Sequence, residues 1–190
     1  PKDAKMEDYI SSFKQIFLKK SAIGCLIGAM FRQAGLVWTT VYSATFFRTQ
    51  FGISLAFAAV LGLIGGVIFV LAEIVGGYLV HRIGRKRQLV ATLVISSPLL
   101  MIIAFVSNLW VVLVLSWVGC FIYGMSFPAN TSLILEQAPE SRGTMMSINN
   151  VFVFLGATIG AGIGGFILAM FNYAGMFLVF SILMLITASI

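Results

Sequence analysis

Charge is what this sequence has least of: Asp, Glu, Lys and Arg make up 9% of its 190 residues, whereas 60% are hydrophobic. Soluble domains carry about 25% charged residues, so the composition argues strongly against a soluble fold. The chain has 1 histidine and 2 cysteines, without metal-ligand spacing. It also lacks paired carboxylates, a nucleophile–base set and a phosphate-binding glycine loop, so we expect no enzyme activity, cofactor or metal.

The apolar residues form runs of membrane-crossing length, which takes about 20 residues per helix. We predict an all-α membrane protein with six transmembrane helices at approximately 21–47, 55–80, 88–106, 109–133, 145–170 and 173–190. Short connections at residues 107–108 and 171–172 predict antiparallel hairpins on one side of the membrane.

The basic residues indicate the orientation. One predicted side carries only Arg48, and Arg32 lies within a helix. The other side carries Lys2, Lys5, Lys14, Lys19, Lys20, Arg82, Arg85, Lys86, Arg87 and Arg142. This asymmetry predicts cytoplasmic N and C termini. Because the basic residues flank apolar helices rather than form a stripe, membrane orientation explains the net charge of +6 better than a nucleic-acid partner does.

Residues 1–20 form a polar segment that we interpret as a cytoplasmic linker before the transmembrane region of residues 21–190. Between residues 9 and 20, apolar groups at positions 9, 10, 13, 16 and 17 follow helical spacing, with lysines on the other face. This pattern predicts an amphipathic helix on the membrane surface. The alternative is an unstructured linker.

Two motifs combine glycine, charge and a fixed spacing. The hairpin between the second and third predicted helices follows the pattern Gly-x-Leu-x-Asp-Arg-x-Gly-Arg-Lys/Arg through Gly77, Leu79, His81, Arg82, Gly84, Arg85 and Lys86, with His81 at the acidic position. The segment 136–143 follows the pattern Glu-x-x-Pro-x-x-Arg-Gly after the fourth helix. With these motifs in place, the chain resembles one half of a major facilitator superfamily transporter over nearly its whole length.

The resemblance implies that the two motifs form a charge cluster that closes the cytoplasmic side. The implied gate residues are Gly77, His81, Arg82, Gly84, Arg85, Glu136 and Arg142. Gly77 would allow close helix approach and Gly84 a tight turn. Because an imidazole supplies no permanent negative charge, His81 predicts a weaker or pH-sensitive gate.

The fifth predicted helix has a row of glycines. Gly156, Gly160 and Gly164 follow i, i+4 spacing, so a neighbouring backbone can approach this face closely. The helix also resembles an antiporter motif of the superfamily, but Ser147 and Ala161 replace the first glycine and the proline of that motif. Helix packing is therefore the preferred interpretation.

The predicted amphipathic segment before the first helix is similar to the central cytoplasmic loop of full-length transporters of this family. This similarity implies that the chain is the C-terminal half. The first helix is also similar to the seventh helix of sugar porters, at Gly35, Tyr42, Ser43, Phe47 and Gly52. The sugar-binding positions are not reproduced, since they hold Phe31, Arg32 and Val37, with Gln33 one place off.

Two charged residues lie inside predicted helices. Arg32 lies ~18 Å from the cytoplasmic edge and Glu73 ~12 Å. An unpaired charge near the bilayer centre costs at least ~2.5 kcal/mol, so neither is expected to face lipid. Arg32 would bind an anionic or polyhydroxylated substrate and Glu73 would exchange a proton. The alternative is a structural ion pair between the two.

Further polar side chains fall on the first, second, fourth and fifth helices, which line the cavity in this superfamily. Pro128 predicts a kink in the fourth helix. The predicted substrate-binding residues are Arg32, Gln33, Thr39, Tyr42, Trp117, Tyr123 and Asn150.

The leading hypothesis is half of a secondary transporter in the plasma membrane, moving a small polar or anionic metabolite, such as a carboxylate or sugar, with protons by alternating access. It would need an N-terminal half or a second copy of itself as partner. The alternatives are a drug-type efflux antiporter and, in another class, a non-transporting six-helix assembly or receptor module.

Overall fold

The computed structural model describes residues 13–189, and this part of the chain is helical apart from short connections. Five helices in it are long and apolar enough to cross a membrane: α1 (Lys20–Phe51), α2 (Leu55–Ile83), α3 (Arg85–Ile103), α4 (Leu109–Gln137) and a final helix (Arg142–Ser189). A short helix at residues 13–18, here called the lead helix, precedes them. Residues 1–12, which include the first part of the predicted amphipathic segment, lie outside the described residues.

The final helix folds back on itself at Asn172, which has a φ of 67°. A Cβ added to Gly164 would lie 2.9 Å from Cζ of Phe180, although a straight helix would separate these residues by ~24 Å. The side-chain Oδ1 of Asn172 accepts a hydrogen bond from the backbone N of Ala174 at 2.9 Å and caps the second arm. The helix therefore forms two antiparallel arms, α5 (residues 142–171) and α6 (residues 173–189).

Turn and cap residues explain where the other helices begin and end. Gly52 and Gly84 have φ values of 65° and 91°, which suit glycine best, and they end α1 and α2. Ser54 caps α2 by accepting from the N of Phe57 at 3.2 Å, and Asn108 caps α4 by accepting from the N of Trp110 at 3.0 Å. Gly84 provides the tight turn that the sequence predicts between the second and third helices.

Two helices are irregular near their centres. In α1, the segment Trp38–Tyr42 is π-helical, and we call it the π-turn. In α4, regular helix ends at Gly124 and resumes at Ser126. Because Pro128 has no N–H to donate, the hydrogen-bond ladder of α4 is weakened at this turn, which accounts for the interruption near the predicted kink.

The core has two parts. The larger is aromatic, and Phe177 of α6 makes edge-to-face contacts with Trp38 at 5.0 Å and Phe46 at 5.2 Å between ring centroids. The smaller lies at the other end of the bundle, where Ile16 of the lead helix packs with Ile134 and Met145. Phe13 and Phe17 remain exposed.

Candidate functional site

The π-turn brings two predicted site residues, Thr39 and Tyr42, to the centre of the bundle. The Thr39 hydroxyl donates to the carbonyl of Leu36 at 2.7 Å, so it bonds to the regular helix just before the π-turn. The Tyr42 hydroxyl donates to the carbonyl of Ala161 in α5. π-Helical segments are rare and frequent at functional sites, which makes this turn a candidate for binding.

A cavity of about 530 Å³ opens beside the π-turn, between α1, α2 and α4. We call it the central cavity. Its polar side chains carry hydroxyls, a thiol and two indole N–H groups, its aromatic groups come from three helices, and none of its lining residues is charged. Among the lining residues are Trp38, Thr39, Thr40, Ser43, Ser116 and Trp117. Two predicted substrate-binding residues, Thr39 and Trp117, therefore lie on the same cavity.

Glycine keeps the α2 wall of the central cavity open. Gly62, Gly65 and Gly66 line it, and a Cβ at any of them would meet nothing within 4 Å. The volume therefore exists partly because three glycines within little more than one turn of α2 carry no side chain there. These three glycines are not among the predicted site residues, although the sequence shows their close spacing in an apolar helix.

Arg32 lies outside the lining of the central cavity. It is 2% exposed, and its Cζ lies 3.8 Å from the ring centroid of Phe127 in a cation–π contact. The Tyr123 hydroxyl donates to the Arg32 carbonyl. Gln33, the next residue, is half-buried.

The guanidinium of Arg32 has no acidic partner in residues 13–189. Its Nε and Nη1 atoms have no hydrogen-bond partner there, and Glu73, which is half-buried on α2, is not within 4.0 Å of it. The alternative interpretation of a direct Arg32–Glu73 ion pair is thus not realised in this conformation. Instead, the ring of Phe127, close to the interruption of α4, contacts the face of the guanidinium.

Asn150 on α5 is exposed, whereas its neighbour Asn149 is 6% exposed. Of these two asparagines, only Asn150 is therefore accessible from outside the described bundle.

The basic hairpin (residues 77–87) contacts α4 through one ion pair, between Arg85 and Glu136. The other predicted gate side chains, those of His81, Arg82 and Arg142, are exposed, and Arg82 lies 4.9 Å above the ring of Tyr78. We call Arg85 and Glu136 the gate pair. Both side chains are more than a third exposed, so water screens their attraction.

One glycine of the hairpin motif has a different environment from the expected one. A Cβ at Gly77 would meet nothing within 4 Å. The close approach occurs at Gly76, where a Cβ would lie 2.7 Å from Cα of Met125. Successive helix residues point ~100° apart, so a shift of one residue changes which neighbour is faced.

The predicted packing glycines of α5 face α1. A Cβ at Gly160 would lie 2.7 Å from the carbonyl oxygen of Ala34, and one at Gly164 would lie 2.7 Å from the ring of Tyr42. Gly156 contacts the backbone of Met30 in the same way. The three glycines and their partners on α1 follow one another in the same order along the chain, so the two helices run in parallel.

Comparison with known sequences gives a consistent result. The sequence model of the Major Facilitator Superfamily matches residues 10–190. The chain is 23% identical over 159 residues to the "Uncharacterized MFS-type transporter YceJ" of Bacillus subtilis (strain 168), covering 83% of this chain and 40% of that protein.

Two further relatives have more specific names. A "Na(+), Li(+), K(+)/H(+) antiporter" of Planococcus maritimus is 29% identical over 146 residues, covering 72% of this chain and 34% of the antiporter. The "Multidrug resistance protein MdtG" of Dickeya zeae (strain Ech586) is 34% identical over 113 residues, covering 59% of this chain and 28% of that protein. The chain therefore spans less than half the length of each of these relatives.

Proposed function

The chain belongs to the major facilitator superfamily of membrane transporters, and on that basis we propose that it forms one half of a proton-coupled secondary transporter. It is a multi-pass integral membrane protein of this family. In the proposal, α1 to α6 each cross the plasma membrane, both ends are cytoplasmic, and an N-terminal half or a second copy completes the transport path. The match to 28–40% of each relative's length supports an incomplete transport unit.

The central cavity carries the proposal about the substrate. Its lining offers hydroxyls to hydrogen-bond with a solute and Trp38 and Trp117 to pack against it, but no charge. A site of this kind favours an uncharged small organic solute with some polar groups, such as a sugar, over a carboxylate. An anion would have to reach Arg32, which is buried and packs against the ring of Phe127 in this conformation.

Glu73 is the proposed proton-coupling residue. It lies on α2 one turn after Phe69, which lines the central cavity and makes an edge-to-face contact with Phe127 at 5.0 Å between ring centroids. Glu73 is half-buried and has no ion-pair partner in residues 13–189. A carboxylate inside a membrane helix and beside the cavity wall is placed to exchange a proton as the path alternates.

A second candidate is a drug-type efflux antiporter. The largely apolar central cavity also suits an amphiphilic solute, and two relatives are named as a multidrug resistance protein and a cation/proton antiporter. In this version the proton flux through Glu73 opposes the solute flux.

Proteoliposomes containing the full-length protein test both candidates. We would impose a pH gradient and follow labelled glucose, labelled succinate and ethidium. Gradient-driven glucose accumulation supports the first candidate, and gradient-driven ethidium exchange supports the second. Transport of succinate alone would contradict the proposed uncharged substrate.

Glu73→Gln should reduce gradient-driven accumulation to the level of protein-free liposomes while solute exchange without a gradient persists, because the path remains but the proton carrier is lost. The matched control is Glu140→Gln, which removes an exposed carboxylate from the loop before α5. Equal accumulation by the Glu73 and Glu140 variants would reject Glu73 as the coupling residue.

A further inference from the structure

Gln88 connects three helices from a buried position at the start of α3. Its side chain is 2% exposed. The Nε2 atom donates to the carbonyl of Gly76 in α2 at 2.9 Å and to the carbonyl of Met125 in α4 at 2.8 Å. A carboxamide nitrogen has two N–H groups, so both are used, each on a different helix.

The site of these bonds is where α2 and α4 touch through their backbones. A Cβ at Gly76 would lie 2.7 Å from Cα of Met125, and 3.0 Å from Cγ of Pro128. Met125 is also the point at which α4 is interrupted. Gln88 therefore holds the end of the cytoplasmic segment of α4 (Ser126–Gln137) that adjoins the interruption at Met125.

The other end of the same segment is held by the gate pair. Glu136 lies one residue before the end of α4, and its partner Arg85 lies three residues before Gln88 on α3. One turn of α3 thus contacts both ends of the segment: Gln88 at the interruption and Arg85 at the cytoplasmic end. If the segment rotated about Met125, Glu136 would move away from Arg85.

We propose that Gln88 is a positioning residue for the gate pair: its two hydrogen bonds set the direction of Ser126–Gln137 so that Glu136 meets Arg85. The gating meaning of this contact rests on the proposed transporter function. The exposed gate pair is weak by itself because water screens it. The buried bonds of Gln88 are not screened, so they supply the orientation that the surface pair cannot enforce.

The test measures opening of the cytoplasmic side without needing a substrate. The reporter is a cysteine introduced by Asn150→Cys in the full-length protein, in which Cys25 and Cys120 are replaced by Ala. Asn150 is exposed on α5, ~12 Å along the helix axis from the first residue of α5. Inside-out vesicles are labelled with a membrane-impermeant maleimide. Gln88→Met keeps the length and volume of the side chain and removes both donors.

The matched control is Thr92→Val, one turn further along α3. Thr92 is also buried, but its hydroxyl bonds only to carbonyls of its own helix, those of Gln88 and Leu89. We expect Gln88→Met and Glu136→Gln each to raise the labelling rate about fivefold, and Thr92→Val to stay within about twofold of the parent. Because Gln88→Met and Glu136→Gln act on the same contact, the double variant that combines them should label no faster than either single variant.

Two results would overturn the proposal: labelling of Gln88→Met at the Thr92→Val rate, or a double variant whose effect is the product of the two single effects. If Gln88→Met is not recovered in membranes, Gln88→Asn replaces it. Asn is one methylene shorter and reaches only one carbonyl, so it should label at an intermediate rate, and the same two results would overturn the proposal. Failure of solute uptake would refute transport without altering this labelling comparison.

Discussion

The α1–α5 contact and the α2 wall of the central cavity both contain rows of glycine, and they use them in opposite ways. In α5, Gly156, Gly160 and Gly164 leave no space, because the backbone or a ring of α1 already fills the position of a side chain. In α2, Gly62, Gly65 and Gly66 leave the space empty. The same residue type therefore closes one side of the bundle and opens the other.

The contrast separates stability from transport. Packing between membrane helices depends on van der Waals contact rather than on exclusion of water, so close backbone approach at the closed side holds α1 and α5 together. The open side contributes little packing and instead provides volume for a solute. Substitutions at the two rows should accordingly affect different measurements.

The largest effect is expected for Gly160→Ala on the closed side. Its Cβ would lie 2.8 Å from Cα of Ala34, a backbone atom that cannot rotate away. Forced overpacking of this kind costs about 1–3 kcal/mol of unfolding free energy. Thermal unfolding of the purified protein in detergent measures it, with Gly62→Ala as the matched change in open space. Equal melting temperatures for the two variants would remove the distinction between the rows.

A smaller effect, and on transport alone, is expected for Gly65→Leu on the open side. Leucine would project into the central cavity and displace solute, which should lower transport about tenfold while unfolding changes by less than about 0.5 kcal/mol. The control is Val67→Leu, which adds one methylene at an exposed position of α2 outside the cavity lining. A solute flux unaffected by Gly65→Leu would show that the cavity is not on the transport path.

The smallest effect is expected for Tyr42→Phe, where the two sides meet. The ring stays against Gly164, but the hydrogen bond to the carbonyl of Ala161 is lost. Such a bond contributes about 1 kcal/mol, so the melting temperature should fall only modestly. Thr40→Val, which loses a bond within α1 alone, serves as comparison. A larger fall in melting temperature for Thr40→Val would mean that the bond between helices contributes no more to stability than a bond within α1.

Much of the local structure was predictable because it depends on neighbouring residues. The turn at Gly84, the connection at Asn172 and the interruption of α4 near Pro128 all follow from what single residues permit the backbone to do. The family was also recognisable, since the hairpin motif and the segment 136–143 are short and specific, and the family match confirms that resemblance. The proposed sugar or carboxylate subtype stays a prediction.

The surroundings of individual side chains were not predictable in the same way. The sequence predicts close helix approach at Gly77, whereas the structure has it at Gly76. An ion pair between Arg32 and Glu73 is one interpretation of the sequence, whereas in the described residues Arg32 contacts the ring of Phe127 and forms no ion pair with Glu73. Gln88 is not among the predicted functional residues, because a lone Gln at the end of a basic hairpin looks like a solvated surface residue until the neighbouring helices are known.

Composition and charge by themselves determined that this chain is a membrane protein built from apolar helices, and its motifs determined the family resemblance. Helical periodicity also determined which residues share a face. Only the tertiary structure decided which face meets which neighbour, and hence that one glycine row is filled and the other empty. The physical reason is that a helix satisfies its backbone hydrogen bonds internally, so its formation depends on nearby residues. Packing instead depends on the rotation and distance of helices that are far apart in the chain, and short-range sequence patterns carry no information about these.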